Sequence, residues 1–192
     1  MDLRGTSNEQ YFMSLAFKNL WALGLVSLMM LPLSAELAPN DEVIKHFSKR
    51  VLNKSRAGEI VAFGGVTERS ALTWLKAEGY RSVINLRLEP ERPGHIDLMM
   101  AEAKVQGLQY VHLPFDPRAE GDVVSQFLEL MRTRGFQPAY IHCNSATRAA
   151  ALWMIFRVQE DGLDFDAAKA EVTEIAGRPD AAIAFAAGYL SR

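Results

Sequence analysis

Tyr140-Ile141-His142-Cys143-Asn144-Ser145-Ala146-Thr147-Arg148 is the stretch on which the reading of this chain turns. The apolar run Pro138 to Ile141 reads as a strand and carries the only cysteine, Cys143, to its C-terminal end. Arg148 opens the run Ala149 to Phe156, which is apolar on every side and therefore reads as a buried helix. Strand, short loop and helix gather backbone N–H groups and the positive end of a helix dipole around one point. A thiol held there ionises more readily, because the anion is stabilised and the neutral form is not. Arg148 adds a permanent charge with a planar fork of donors. A nucleophile, a ring of amides and a guanidinium together suit attack on, or capture of, a dianion such as phosphate. A lone cysteine elsewhere would read as a small buried hydrophobe. Its place at a strand end, between His142 and Arg148, favours the chemical reading.

Outward from this stretch, strands and helices alternate. Glu59 to Phe63 reads as a strand stopped by Gly64-Gly65. Thr67 is the expected N-cap of a helix whose inner face holds Ala71, Trp74 and Leu75 and which Gly79 ends. Ser82 to Arg87 is the next strand, with Arg87 either at the rim of the site or a solvated strand-end charge. Glu89 to Gly94, with two prolines, is expected to be a loop without regular structure. His95 to Gln106 is helical, with Ile96, Met99, Met100 and Ala103 inward as core filler. Tyr110 to Phe115 is a strand ending at Asp116, and Val124, Phe127, Leu128 and Met131 mark a helix by their spacing. Asp122 is the natural N-cap of that helix. Asp164 caps a helix over Phe165 to Ala176, Gly177-Arg178-Pro179 breaks the chain, and Asp180 to Leu190 forms a last helix. Ahead of all these, Val43, Phe47 and Val51 recur every four residues, which predicts a surface helix within Pro39 to Lys54. The fold class is α/β, a mostly parallel central sheet flanked by helices, with the site at the carboxyl ends of the strands.

The N-terminus reads differently. Leu20 to Leu33 is almost unbroken in its apolarity, Arg4 and Lys18 precede it and Ser34-Ala35 follows. Residues 1–35 are expected to be a signal peptide or an N-terminal anchor, and residues 36–192 the folded domain. Met13 is an alternative start and Ala38 an alternative end of that leader. Export to the periplasm, or secretion, follows from either form, with a cytosolic helix as the remaining reading, and a membrane is touched only through an uncleaved leader. The length of 192 residues suits one domain. A net charge of −2 gives no reason to expect a nucleic-acid partner, and one cysteine excludes an internal disulfide or a cysteine-rich zinc site. The four histidines, His46, His95, His112 and His142, lack metal-ligand spacing.

His142-Cys143, a short loop, Arg148 and an apolar helix resemble the phosphate loop of the cysteine-based protein tyrosine and dual-specificity phosphatases. The similarity is greater to a divergent bacterial branch, the phosphatase domains associated with β-lactamase-hydrolase-like proteins. Phe63-Gly64-Gly65-x-Thr67, then Gly79-Tyr80, then Val83 to Arg87 are similar to that branch's opening strands, and the likeness runs from Glu59 to Asp161. Four residues separate Cys143 from Arg148, where most of the superfamily has five. The loop holds no glycine, and Ala149 stands where most relatives place a hydroxyl that steadies the departing thiolate, a role left to Thr147 or to no group. The resemblance implies a protein tyrosine phosphatase-like fold and hydrolysis of phosphate monoesters, phosphotyrosine among them, through a phosphocysteine without metal or cofactor. It implies Cys143 as nucleophile and Arg148 with the loop Asn144, Ser145, Ala146 and Thr147 as the phosphate cradle. Asp116 is then the general acid, with Asp122 in reserve, and His142 and Arg87 support the loop. The partner is a phosphorylated protein or small molecule. Two other readings stay open: a phosphate-binding pseudophosphatase, and a rhodanese-like sulfurtransferase whose cysteine carries a persulfide.

Overall fold

The computed structural model describes residues 42–51, 60–119 and 121–192, all within the compact unit Ala38–Arg192. The expected leader in residues 1–35 lies outside them. In chain order the elements are strands β1 (Ser48–Val51) and β2 (Ile60–Gly64), helix α1 (Ala71–Ala77), strand β3 (Ser82–Asn85) and a single 3-10 turn (Glu89–Glu91). Then come α2 (His95–Gln106), β4 (Gln109–His112), α3 (Val123–Arg132), β5 (Ala139–His142), α4 (Thr147–Gln159), α5 (Phe165–Ile175) and α6 (Pro179–Leu190). The sheet order is β1-β2-β5-β3-β4. Only β1 is antiparallel to its neighbour, so the expected, mostly parallel α/β sheet is present.

Alternation along the central strands divides the core. Val61, Phe63, Ile84, Leu86, Ala139 and Ile141 face the side covered by α3, α4, α5 and α6. Ala62, Val83 and Tyr140 face the side covered by α1 and α2. Successive side chains on a strand point to opposite faces, so one strand feeds both cores. Helix α4 runs through the larger core, with every residue from Ala149 to Phe156 buried. Trp153 within it is fully buried, and burial of a side chain of that class stabilises by about 1.5–3 kcal/mol. Its indole N–H donates to Glu171 at 2.9 Å, and Arg157 donates to the same carboxylate, which ties α4 to α5.

Four local expectations are corrected. Within residues 42–51 there is no helix; Ser48–Val51 pairs with β2, Ser48 opposite Phe63 and Val51 opposite Ile60. A spacing of four residues puts side chains on one face of a strand as well as of a helix, so Val43, Phe47 and Val51 could not separate the two. Thr67 does not cap α1, whose N-cap position is Ser70. Its hydroxyl is instead buried, donating to the Gly65 carbonyl and bonded to the Tyr140 hydroxyl at 2.6 Å. Met100 is 46% exposed on α2, while His95, not counted as inward, is buried. The Glu89 to Gly94 segment contains the 3-10 turn, begun by Pro90, whose missing N–H costs nothing in a first turn. Helices α3 and α5 follow expectation: Val124, Phe127, Leu128 and Met131 are the buried residues of α3, and the Asp164 carboxylate accepts from the N–H groups of Asp166 and Ala167. Asp122 occupies the N-cap position of α3 without a side-chain capping bond.

Candidate active site

The stretch Cys143 to Arg148 leaves β5 at its carboxyl end and enters α4 at Thr147, one residue earlier than expected. Strand β5 lies between β2 and β3, so the loop emerges at the middle of the sheet. The Cys143 N–H donates to the Gly64 carbonyl at 3.2 Å, and the Leu86 N–H donates to the His142 carbonyl at 2.9 Å. Ala146 takes the left-handed conformation, φ 56°, that a glycine would adopt without strain. The turn is thereby made with no glycine in the loop. The glycines are supplied from outside it. A Cβ on Gly65 would stand 2.7 Å from the Asn144 carbonyl oxygen, and one on Gly177 would stand 2.7 Å from that of Ser145. The Gly177 N–H donates to the Ser145 carbonyl at 2.8 Å, so the loop is pressed between the end of β2 and the break before α6.

A cavity of about 470 Å³ opens over this loop, and Cys143, Asn144, Ser145, Thr147 and Arg148 line it together with Asp116, Glu91, Arg178 and Phe185. Cys143 is 1% exposed, at the cavity floor. Five of the expected site residues therefore meet Asp116 in one place, although Asp116 lies 27 positions before Cys143. Ala146 has its side chain wholly buried in the core and does not line the cavity. Asp122, Arg87 and His142 do not line it either. The Thr147 hydroxyl bonds to the Ser145 hydroxyl at 3.0 Å and accepts from the Arg178 N–H at 3.1 Å.

Arg148 is held on two sides. Its Nη1 donates to the carbonyls of Leu86 and Phe115, both at 3.1 Å, clamping it between the ends of two strand segments. Its Nη2 donates to both oxygens of Glu91, at 2.8 and 2.9 Å. The same carboxylate accepts from the Asn144 side-chain amide and from the Leu88 N–H. Glu91 was not foreseen. The available signal was a carboxylate on the loop directly after a strand's carboxyl end, where sites in such sheets are built.

Arg87 is not the solvated charge that was one alternative: it is 5% exposed. Its Nη2 donates to the Glu91 carbonyl at 3.2 Å, while its Nε and Nη1 are buried without a hydrogen-bond partner among the described residues. Desolvation lowers its pKa, opposed by the attraction of Glu91. It supports the turn that carries Glu91. His142 is fully buried, stacked on the Tyr140 ring at 5.5 Å and 10°. Among the described residues neither ring nitrogen has a hydrogen-bond partner of regular geometry. Desolvation, with Arg87 and His95 adding repulsion, pushes its pKa down to about 3, against a weaker pull from the Gly65 and Cys143 backbone. The imidazole is neutral, so any support for Cys143 is by packing rather than by charge. The Asp116 carboxylate accepts from the Arg118 side chain at 3.1 and 3.4 Å and from its N–H at 3.0 Å, contacts that hold it below the ordinary carboxylate range. Among the described residues no group of three or more His, Cys, Asp or Glu side chains is placed to hold a metal.

The fold is shared with solved structures. The DUF442 protein from Shewanella putrefaciens CN-32 matches 79% of this chain and 97% of its own, at 18% identity and a TM-score of 0.54. Kinase associated phosphatase, solved with its catalytic cysteine replaced by serine, matches 78% of this chain and 95% of its own, at 13% identity and a TM-score of 0.62. The core catalytic domain of the PP-IP phosphatase SIW14 from S. cerevisiae matches 74% and 85%, at 16% identity and a TM-score of 0.57. At these identities the likeness is one of fold. Comparison with curated proteins gives no match. The family model described as DSP-PTPase phosphatase fused to NAD+ kinase matches residues 57–180, well over half of the chain. The chain therefore belongs to that family of cysteine-based, dual-specificity-type phosphatase domains.

Proposed function

We propose that this chain hydrolyses phosphate monoesters through a phosphocysteine on Cys143. The supporting observation is the cavity in which Cys143, Arg148 and Asp116 meet. In the first step the Cys143 thiolate attacks phosphorus as the ester P–O bond breaks, and the leaving oxygen takes a proton from Asp116. In the second a water oxygen attacks phosphorus, the S–P bond breaks to return the thiolate, and the water's proton passes to Asp116. Arg148 and the amides of the Asn144 to Thr147 loop hold the equatorial oxygens. A dianion seated on Arg148 opposes the charge of Asp116 and raises its pKa, moving it toward the acid form that the first step uses. Substrates are phosphorylated proteins or small molecules, phosphotyrosine among them. Export is part of the same proposal, supported by the apolar run Leu20 to Leu33, and cell fractionation tests it.

The test is phosphate release from an aryl phosphate by wild type and by Cys143→Ser. Turnover should vanish in the variant, because a serine hydroxyl stays protonated where a thiol does not. Hydrolysis retained in the purified variant overturns the mechanism. A second reading, a phosphate-binding module without turnover, is favoured by the Glu91 carboxylate already resting on Arg148 and Asn144. It predicts that phosphate protects Cys143 from alkylation while wild type releases nothing above background.

A further inference from the structure

A second cavity of about 670 Å³ adjoins the Cys143 cavity and shares Leu88, Phe115, Asp116, Pro117, Arg118 and Phe185 with it. It runs between the segment after β4 and helix α6. Its walls include Pro114, Phe115 and Val124 on one side and Phe185, Gly188 and Tyr189 on the other, and Arg192 also lines it. Phe115 and Phe185 meet edge to face at 5.0 Å and 71° at the junction of the two spaces. A volume of that size holds a ligand body as large as a typical small-molecule drug. Pro114, Phe115, Val124, Phe185 and Tyr189 give an aromatic body apolar and ring contacts along the groove, while Asp116, Arg118 and Arg192 line its polar parts. Arg192 lines the groove and donates its backbone N–H to the Tyr189 carbonyl at 3.3 Å. An anionic group at the far end of the ligand suits it. The small residues of α6, Ala184 and Gly188, leave the space open: a Cβ on Gly188 would meet nothing within 4 Å.

We propose that this groove is the leaving-group subsite, and that α6 selects phosphate monoesters whose aryl body extends past the first ring to an anionic end at Arg192. The proposal rests on the phosphatase reading. In its favour, Asp116 is held by Arg118 at the groove's edge, an arrangement suited to aryl oxides, which leave with less protonation than alkoxides do.

The experiment compares kcat/KM for phenyl phosphate with that for 4′-carboxybiphenyl-4-yl phosphate, in wild type, Gly188→Leu and Arg192→Ala. Leucine is the better helix former, so the first variant should fold at least as well as wild type. The expected result is a biphenyl-to-phenyl ratio above one in wild type, falling about tenfold or more in Gly188→Leu, the scale of one ring's apolar burial. The ratio should also fall in Arg192→Ala, and there the fall should shrink with added salt. Equal ratios in all three proteins overturn the subsite. Calorimetric binding of the matching biphenyl phosphonate to the Cys143→Ser protein is measured in parallel. Tight binding that Gly188→Leu weakens, with no turnover of either ester, retains the groove and removes the enzyme. Turnover without preference retains the enzyme and removes the groove.

Discussion

Acidification should unfold this protein through one residue beside Cys143, His142. His142 is fully buried, and among the described residues its ring nitrogens have no hydrogen-bond partner of regular geometry. Unfolded, it takes a proton near the ordinary 6.5; folded, it refuses one until about 3, chiefly because burial disfavours the cation. Between those values the unfolded chain holds more protons than the native one, so stability rises with pH. The contribution is fully present above about pH 6.5 and is lost progressively as pH falls toward 3. At about 1.4 kcal/mol per pH unit, the whole window is worth about 5 kcal/mol, and a drop to pH 4.5 removes about 3 kcal/mol. That is a large fraction of the 5–15 kcal/mol typical of a domain. The assay is urea unfolding followed by tryptophan fluorescence, from pH 7.5 to 4.5, for wild type and His142→Asn. Carboxylates and the other histidines titrate in both proteins and cancel. Wild type should lose about 3 kcal/mol more than the variant over that range, whatever the variant's starting stability. Parallel pH profiles would show the imidazole to be hydrated or charged in the folded state and would refute the reasoning.

Glu91→Gln leaves Arg148 without the carboxylate that holds its Nη2; at about 1.5–3 kcal/mol for a charge-assisted bond, kcat/KM on an aryl phosphate should fall roughly 10–100-fold. A faster variant would make Glu91 a competitor for the substrate anion instead. Asp116→Asn should slow an alkyl phosphate by roughly 10²–10⁴-fold and an activated aryl phosphate far less; equal effects would make Asp116 structural, and leaving-group dependence confined to Asp122→Asn would move the acid to α3. Gly65→Ala drives a methyl to 2.7 Å from the Asn144 carbonyl oxygen, so affinity for inorganic phosphate should drop about tenfold while circular dichroism is unchanged; unaltered affinity would mean that the loop yields freely.

Spacing within a single element was legible where only one geometry fits it. The inward face of α3, the Asp164 cap and the wholly apolar α4 depend on spacing within one element, and burial follows that spacing. The strand end carrying Cys143 was legible for the same reason, since a strand, a short loop and a buried helix converge whatever the rest of the chain does. Where two geometries share a spacing, the sequence was silent: Val43, Phe47 and Val51 fit a helix and a strand alike, and pairing with β2 decided for the strand. The same holds for Thr67, free in principle to cap a helix until the Tyr140 hydroxyl came within 2.6 Å. The site's electrostatics lay further from view. The Glu91 carboxylate reaches Arg148 across 57 positions, and Gly65 and Gly177 press on a loop to which neither belongs. His142, which beside Cys143 could have been a cation, is neutral because the sheet, Arg87 and His95 surround it. Elements follow from short-range periodicity. Partners, desolvation and close approach arise only when distant segments are brought together, and those three decide what a side chain at this site can do.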